Sequence, residues 1–130
     1  MGKSFKIILD TNFLLTTVRY KLHGLEDIKS RVPADFFVLS GTMSELEGLS
    51  RSDKKLSGEF AIVKKIIKNE GVLGIESKLP KVDDELVEKS KEYVIATNDK
   101  ALRKRIIDFG GKCIYVKKLT TIDLSDIIDE

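Results

Sequence analysis

The segment Lys6 to Leu15, KIILDTNFLL, constrains the fold more than any other part of the chain. Its apolar run Ile7 to Leu9 shows no alternation, which is typical of a strand buried on both faces. The polar turn Asp10 to Asn12 follows, and from Phe13 the apolar residues return with helical spacing. A carboxylate at the end of a buried strand is costly unless it is paired, hydrogen-bonded or bound to a metal ion. Asp10 is therefore the first candidate for a functional residue.

Composition fits one packed domain, residues 1–130, and excludes several kinds of chemistry. Hydrophobic residues make up 42% of the 130 and charged residues 34%, which suits an apolar core under a charged surface. The single cysteine, Cys113, excludes an internal disulfide, and the single histidine, His23, excludes mechanisms that need two imidazoles. No apolar run reaches the roughly 18 residues of a membrane helix and no signal peptide is visible, so we expect a soluble cytoplasmic protein.

Apolar strands alternate with amphipathic helices along the rest of the chain. Further strands are predicted at 36–39, 72–75, 93–96 and 113–116. Helices are predicted at 13–21, 25–31, 43–49, 59–69, from 83 or 84 to 92, and 100–109, with a polar linker at 51–58 and a tail at 120–130 that forms a short helix or packs along an edge. This pattern predicts an α/β, doubly wound domain whose mainly parallel sheet has about five strands and helices on both faces.

Ligands of such sheets lie beyond the carboxyl ends of the strands, where the strand order reverses. Asp10 and Asp99 both fall just past the carboxyl end of a predicted strand. The alternative for each acid that precedes a helix is simple N-terminal capping, and that alternative is strongest for Asp99. Because Thr11 and Asn12 could cap the first helix themselves, Asp10 is the acid that capping explains least.

Two further acids lie on the helix after the second strand. Glu45 and Glu47 are roughly 200° apart around a helix axis, so both cannot face one site. Glu45 lies nearer the strand end and is expected to face Asp10, whereas Glu47 is expected at the surface.

Four segments together resemble the PIN domain, a family of metal-dependent nucleases. They are DTNFLL, SELEGL, VDDELVEKS and ATNDKALRKRI, of which the last is the most specific. The resemblance spans nearly the whole chain. It is to the compact archaeal-type group related to VapC toxins and to PIN proteins that process ribosomal RNA.

The resemblance implies a catalytic, metal-binding set of carboxylates, namely Asp10, Glu45, Asp84 and Asp99. Asp83 is the alternative to Asp84, which is favoured because the apolar pair Leu86 and Val87 then falls two and three residues later. The same resemblance implies supporting polar groups at Thr11, Asn12, Thr97 and Asn98.

The expected activity is that of a Mg²⁺- or Mn²⁺-dependent endoribonuclease, a hydrolase that forms no covalent intermediate. Hard cations take oxygen ligands, and carboxylates are the ligands that this chain offers in number. Backbone phosphates would be contacted by basic residues near the site, although the alternative is a solvated helix face; the candidates are Arg51, Lys54, Lys55, Lys100, Arg103 and Lys104.

The implied partners are RNA, single-stranded or structured, and either an antitoxin protein or a pre-ribosomal particle, with a homodimer as a further option. A catalytically weak or inactive PIN fold that only binds RNA or protein is the alternative function. A receiver-like phospho-signalling domain is disfavoured, because Asn12 and Ser77 stand where its acids are expected.

Overall fold

The computed structural model describes residues 3–128, and this part of the chain contains six helices and six strands. The strands are β1 (Phe5–Leu9), β2 (Ala34–Leu39), β3 (Leu73–Ile75), β4 (Val94–Ala96), β5 (Cys113–Lys117) and β6 (Thr121–Asp123). The helices are α1 (Thr11–Arg19), α2 (Gly24–Arg31), α3 (Ser40–Ser50), α4 (Lys54–Asn69), α5 (Val82–Lys89) and α6 (Lys100–Asp108).

All six strands join in one sheet with the order β3-β2-β1-β4-β5-β6. The pairs from β3 to β5 are parallel, and only β5 and β6 are antiparallel. The order therefore reverses between β1 and β4. Asp10 follows β1 and Asp99 follows β4, so both acids lie at the reversal point, where doubly wound sheets bind their ligands.

Helices cover both faces of the sheet, and alternate residues of β1 enter two separate apolar cores. Ile7 and Leu9 pack with residues of α1, α2, α3 and α4. Ile8 packs on the other face with Leu86 of α5 and with Leu102 and other residues of α6. Burial on both faces explains why β1 carries no alternating polar residues.

Helix α4 begins earlier than the sequence pattern predicts, so the predicted linker at 51–58 is wrong over most of its length. Asp53 accepts a hydrogen bond from the Leu56 backbone N–H, and the helix starts at Lys54. The first turn exposes Lys54 and Lys55 and buries only Leu56. A single apolar residue in a polar turn gives no helical periodicity to read, which is why the pattern missed it.

The tail also differs from one of its two predicted forms. Residues 121–123 form β6, which pairs with β5 at the edge of the sheet, so this part of the tail adds a strand instead of a helix. Among residues 3–128 no helix combines the length and the apolar character needed to cross a bilayer.

Candidate active site

Asp10 is buried at the carboxyl end of β1, and both of its carboxylate oxygens accept hydrogen bonds. The side chain is 5% exposed. Oδ1 accepts from the Thr11 backbone N–H at 2.8 Å, and Oδ2 accepts from the Thr97 hydroxyl at 2.8 Å. Asp10 therefore caps α1 and also ties the end of β1 to the loop after β4.

Burial raises the pKa of Asp10 to about 6, and the hydrogen bonds from Thr97 and Thr11 only partly oppose this rise. The negative charges of Asp83 and Glu45 raise the pKa further. Asp10 thus lies close enough to two other carboxylates for their charges to act on it.

Asp83, in the first turn of α5, lies close enough to Glu45 and Asp99 for their charges to act on it. Burial raises the pKa of its carboxyl group, and the charges of Asp99 and Glu45 add to the rise. Within residues 3–128 no hydrogen-bond partner contacts the Asp83 carboxylate, whereas Thr11 donates its hydroxyl to Glu45 Oε1 at 3.0 Å. The charges of four acids are therefore linked through Asp10 and Asp83, namely Asp10, Glu45, Asp83 and Asp99.

Asp84 lies differently from its neighbour. Its Oδ1 atom accepts a hydrogen bond from Nη2 of Arg105 at 2.9 Å, and both side chains are about half exposed, at 48% and 49%. Arg105 also lowers the pKa of Asp83, so the guanidinium group lies at the rim of the acid cluster. This ion pair occupies Asp84, the residue favoured by the sequence pattern, and leaves Asp83 as the acid that faces the others.

Asp99 has a structural and an electrostatic role at once. Its Oδ1 atom accepts from the Leu102 backbone N–H at 3.0 Å and so caps α6, as the alternative interpretation of the sequence anticipated. Its charge nevertheless acts on Asp83. Glu47, in contrast, is 62% exposed and pairs with Arg51 at 3.6 Å on the surface.

The four polar residues expected to support the acids form one hydrogen-bonded network. Asn12 accepts from the Asn98 backbone N–H at 2.8 Å and from the Thr97 hydroxyl at 3.2 Å. Asn98 in turn binds both backbone groups of Val116 in β5. Thr97 and Thr11 donate to the acids, so the network fixes the ends of β1, β4 and β5 relative to one another.

The donor set fits a hard divalent cation in kind, because such ions prefer carboxylate oxygens and relieve the repulsion among crowded acids. Across residues 3–128, however, no three Asp, Glu, His or Cys side chains are arranged so that they could already hold an ion together. The carboxylates would have to rotate to close around a metal.

The basic residues predicted to contact phosphates differ in exposure and in their partners. Lys100 is exposed beside Asp99, and Lys54 and Lys55 are exposed at the start of α4. Lys104 pairs with Asp108 on the exposed face of α6 at 2.9 Å. Arg103 is half-buried, and its guanidinium carbon lies 3.6 Å from the centre of the Tyr115 ring.

Sequence reasoning missed three residues that position the site. The Ser77 hydroxyl accepts from the Gly41 backbone N–H at 2.8 Å, and Ser40 accepts from the Ser77 N–H at 2.9 Å, which joins the start of α3 to the loop after β3. Glu85 is 2% exposed and accepts from the backbone N–H groups of Lys78 and Leu79, which fixes the loop before Asp83. No local motif marks these contacts, because their partners lie on separate segments.

An apolar cleft lies away from the acids. It has a volume of about 310 Å³ and is lined by α1, the start of α2 and α4, with Val18, Leu25 and Ile66 among its walls. None of the four clustered acids lines it.

Comparison with known proteins gives one relative and two structures of note. Ribonuclease VapC4 of Methanocaldococcus jannaschii is 27% identical, over 88% of this chain and 92% of the relative. The PIN domain endonuclease Utp24 matches with a TM-score of 0.73 and 26% identity, over 98% of this chain and 96% of that one. A domain of a functionally unknown M. jannaschii protein shares the fold, with a TM-score of 0.61 and 13% identity over 97% and 100% of the two chains.

No model of a known protein family matches the sequence. The similarity to VapC4 and to Utp24 nevertheless extends over almost the full length of this chain and of each of those two proteins. The chain therefore has the fold of a PIN domain and is similar to the VapC ribonucleases.

Proposed function

We propose that this PIN domain is an endoribonuclease that hydrolyses RNA phosphodiester bonds with the help of Mg²⁺ or Mn²⁺. The observation that carries the proposal is the group of carboxylates beside the reversal point of the sheet, where Asp83 and Glu45 act on buried Asp10, and Asp99 and Glu45 act on Asp83. Two similar proteins support it, since one is named a ribonuclease and the other a PIN domain endonuclease. A PIN fold with only a structural role would have no need to crowd four acids that destabilise one another.

The proposed ligand set is Asp10, Glu45, Asp83 and Asp99, with Asp83 in preference to Asp84. Asp84 is held by Arg105 at 2.9 Å, whereas the charges of Asp99 and Glu45 act on Asp83. The Asp83 carboxylate has no hydrogen bond to lose within residues 3–128, so its rotation toward a ligand is inexpensive.

A bound divalent ion would polarise the phosphoryl oxygens and lower the pKa of a bound water. The chain itself supplies three other functions. Thr97 and the Thr11 N–H keep the Asp10 carboxylate in one orientation. The raised pKa of Asp10 lets it take or release a proton close to neutral pH while the site is free of metal. Exposed lysines near Asp99, such as Lys100, attract the phosphate backbone to a surface that the acids would otherwise make repulsive.

The test is cleavage of end-labelled single-stranded and structured RNAs by the purified protein in Mn²⁺, in Mg²⁺ and in EDTA. Asp10→Asn should lose cleavage, and Asp35→Asn is the matched control, because Asp35 is exposed near the start of β2. Cleavage that survives both EDTA and Asp10→Asn would overturn the proposal. Binding of RNA without cleavage by the wild type would favour the alternative, a PIN fold that only binds.

The biological role divides into a VapC-type toxin, working beside an antitoxin, and a nuclease that processes ribosomal RNA on a pre-ribosomal particle. Similarity to a VapC ribonuclease supports the toxin role. Induced expression of the wild type in a bacterial host should then arrest growth, while Asp10→Asn should not. Discrete cleavage of a ribosomal RNA precursor without growth arrest would favour processing, and gel filtration would test for a homodimer.

A further inference from the structure

The turn between β5 and β6, residues 117–120, projects from the same edge of the sheet as the acids. β5 runs parallel to β4, so its carboxyl end points in the same direction as the ends of β1 and β4. Asn98 fixes this end directly: Val116 donates its N–H to Asn98 Oδ1 at 3.0 Å, and Asn98 Nδ2 donates to the Val116 carbonyl at 3.3 Å. Lys117 directly follows Val116, which Asn98 holds, and Asn98 directly precedes Asp99.

The backbone of this turn is strained. Lys118 and Leu119 have φ angles of 52° and 57°, in the left-handed region. Thr120 donates its N–H to the Lys117 carbonyl at 3.1 Å, which closes the turn. Tight hairpin turns with two left-handed residues favour Asn and Gly, and a lysine followed by a leucine is costly there. Leu119 is 45% exposed, so core packing does not explain the choice.

The strained turn continues a line of positive charge. Side chains of Tyr115 and Lys117 lie on one face of β5, because residues two apart in a strand share a face. Arg103 stacks on Tyr115, with its guanidinium carbon 3.6 Å from the ring centre, and Lys100 lies one helical turn before Arg103, toward Asp99. Lys117 and Lys118 are exposed; the charge of Lys117 acts on Asp123 in β6, and Lys118 forms no ion pair among the described residues. We call Lys100, Arg103, Lys117 and Lys118 the basic strip.

We propose that the basic strip holds the RNA strand next to the bond that is cleaved, with Lys117 and Lys118 at the turn as phosphate contacts. This proposal rests on the proposed ribonuclease function. The acids repel phosphates, so a strand can lie across them only when positive groups on either side hold its backbone. The turn provides such groups on the β5 side, beyond the helix that carries Lys100. The turn places Lys118, one of its two left-handed residues, directly after Lys117 and beyond the end of β5.

The first experiment compares Lys117→Ala/Lys118→Ala with Lys65→Ala/Lys68→Ala, two exposed lysines of α4 outside the strip that remove the same charge. Binding of a labelled single-stranded RNA is measured in EDTA at several salt concentrations, and cleavage in Mn²⁺. The turn variant should bind more weakly, its log–log salt dependence should fall by about 1.4 for two lost contacts, and KM should rise with kcat retained. The α4 variant should match the wild type.

A second variant separates charge from turn structure. Lys118→Asn/Leu119→Gly supplies the residues that this turn prefers, so it should raise the melting temperature while it weakens RNA binding. If the wild type cleaves RNA but the turn and α4 variants have equal KM and equal salt dependence, the proposed role of the turn is overturned and the ribonuclease function is not. A wild type that neither binds nor cleaves RNA would overturn the proposed function instead.

Discussion

Asp10 serves two purposes that oppose each other in free energy. Its oxygens cap α1 and join β1 to the loop after β4, which stabilises the fold. Burial and the neighbouring acids nevertheless raise its pKa from 3.8 to about 6, so its ionised form is disfavoured in the folded state. The folded protein therefore binds more protons than the unfolded chain between these two pH values, and stability falls as the pH rises through that window.

We predict that Asp10→Asn stabilises the metal-free protein at neutral pH. The amide can donate to the Thr97 hydroxyl, which can then donate to Asn12 alone, since that contact already exists at 3.2 Å. Relative to the wild type, the variant should gain about 2.4 kcal/mol in free energy of unfolding between pH 4 and pH 7.5, because one pKa unit corresponds to about 1.4 kcal/mol and part of the shift is already expressed at pH 4. Urea unfolding in EDTA measures this difference. A gap that stays constant over the pH range would show that Asp10 is not perturbed.

Adjacent acids at the start of α5 should differ sharply in function. Asp83→Asn is predicted to reduce the cleavage rate about 100-fold or more, the size typical of a charged group in an active site. Asp84→Asn should cost less than about 1 kcal/mol of stability, since exposed ion pairs contribute little, and should leave most of the activity. Single-turnover cleavage in Mn²⁺ distinguishes the two. An equal loss of cleavage rate in both variants would mean that Asp84 also belongs to the site.

The sequence could not choose between these two acids. Both precede the same helix and lie about 100° apart around its axis, so the local pattern allows either to face inward. The choice depends on Arg105, which lies 21 residues after Asp84 and holds it at the surface. The family motifs point to the other three acids, each of which follows a strand end or lies on the helix directly after one.

At the scale of whole elements, helices with a clear apolar stripe were predictable, and those that begin through a distant contact were not. The start of α3 at Ser40 has no side-chain cap from its own N-cap residue, Leu39; Ser77 accepts from the Gly41 N–H instead. Strand β6 follows a turn without the usual Asn-Gly sequence, so nothing local marked a hairpin. In each case the missing information belongs to tertiary structure.

Helix α4 offers a direct test of element stability. Gly58 lies inside it with a helical conformation, and a Cβ atom there would meet no atom within 4 Å. Gly58→Ala should therefore raise the free energy of unfolding by about 0.5–1 kcal/mol through helix propensity alone. Gly71→Ala is the matched control just beyond the helix: its φ of 63° disfavours a side chain, so it should destabilise. Urea unfolding should show a higher free energy of unfolding for Gly58→Ala and a lower one for Gly71→Ala. Stabilisation by both substitutions would contradict the left-handed backbone at Gly71.

At the scale of the whole molecule, strand order assembles the site. Asp10 follows β1, Glu45 lies on α3 after β2, Asp83 opens α5 and Asp99 precedes α6, so the four acids come from four separate crossovers. Parallel strands place all of these crossovers at one edge. The same edge receives the β5–β6 turn, which brings lysines to a site whose own residues are acidic. Topology thus brings acidic and basic residues to the same end of the sheet in a chain whose net charge is only +2.

A divalent ion should therefore stabilise the entire fold, because it relieves repulsion among elements on both sides of the sheet reversal. At a hundredfold excess over Kd, binding contributes about 2.7 kcal/mol, which corresponds to a rise in Tm of about 10 °C for a protein of this size. Calorimetry in Mn²⁺ and in KCl of equal ionic strength separates binding from charge screening. Asp10→Asn/Asp99→Asn should lose the Mn²⁺ effect, whereas Asp35→Asn should keep it. The same rise in Tm for all three proteins would mean that the ion binds elsewhere and that the four carboxylates repel one another without a metal to hold.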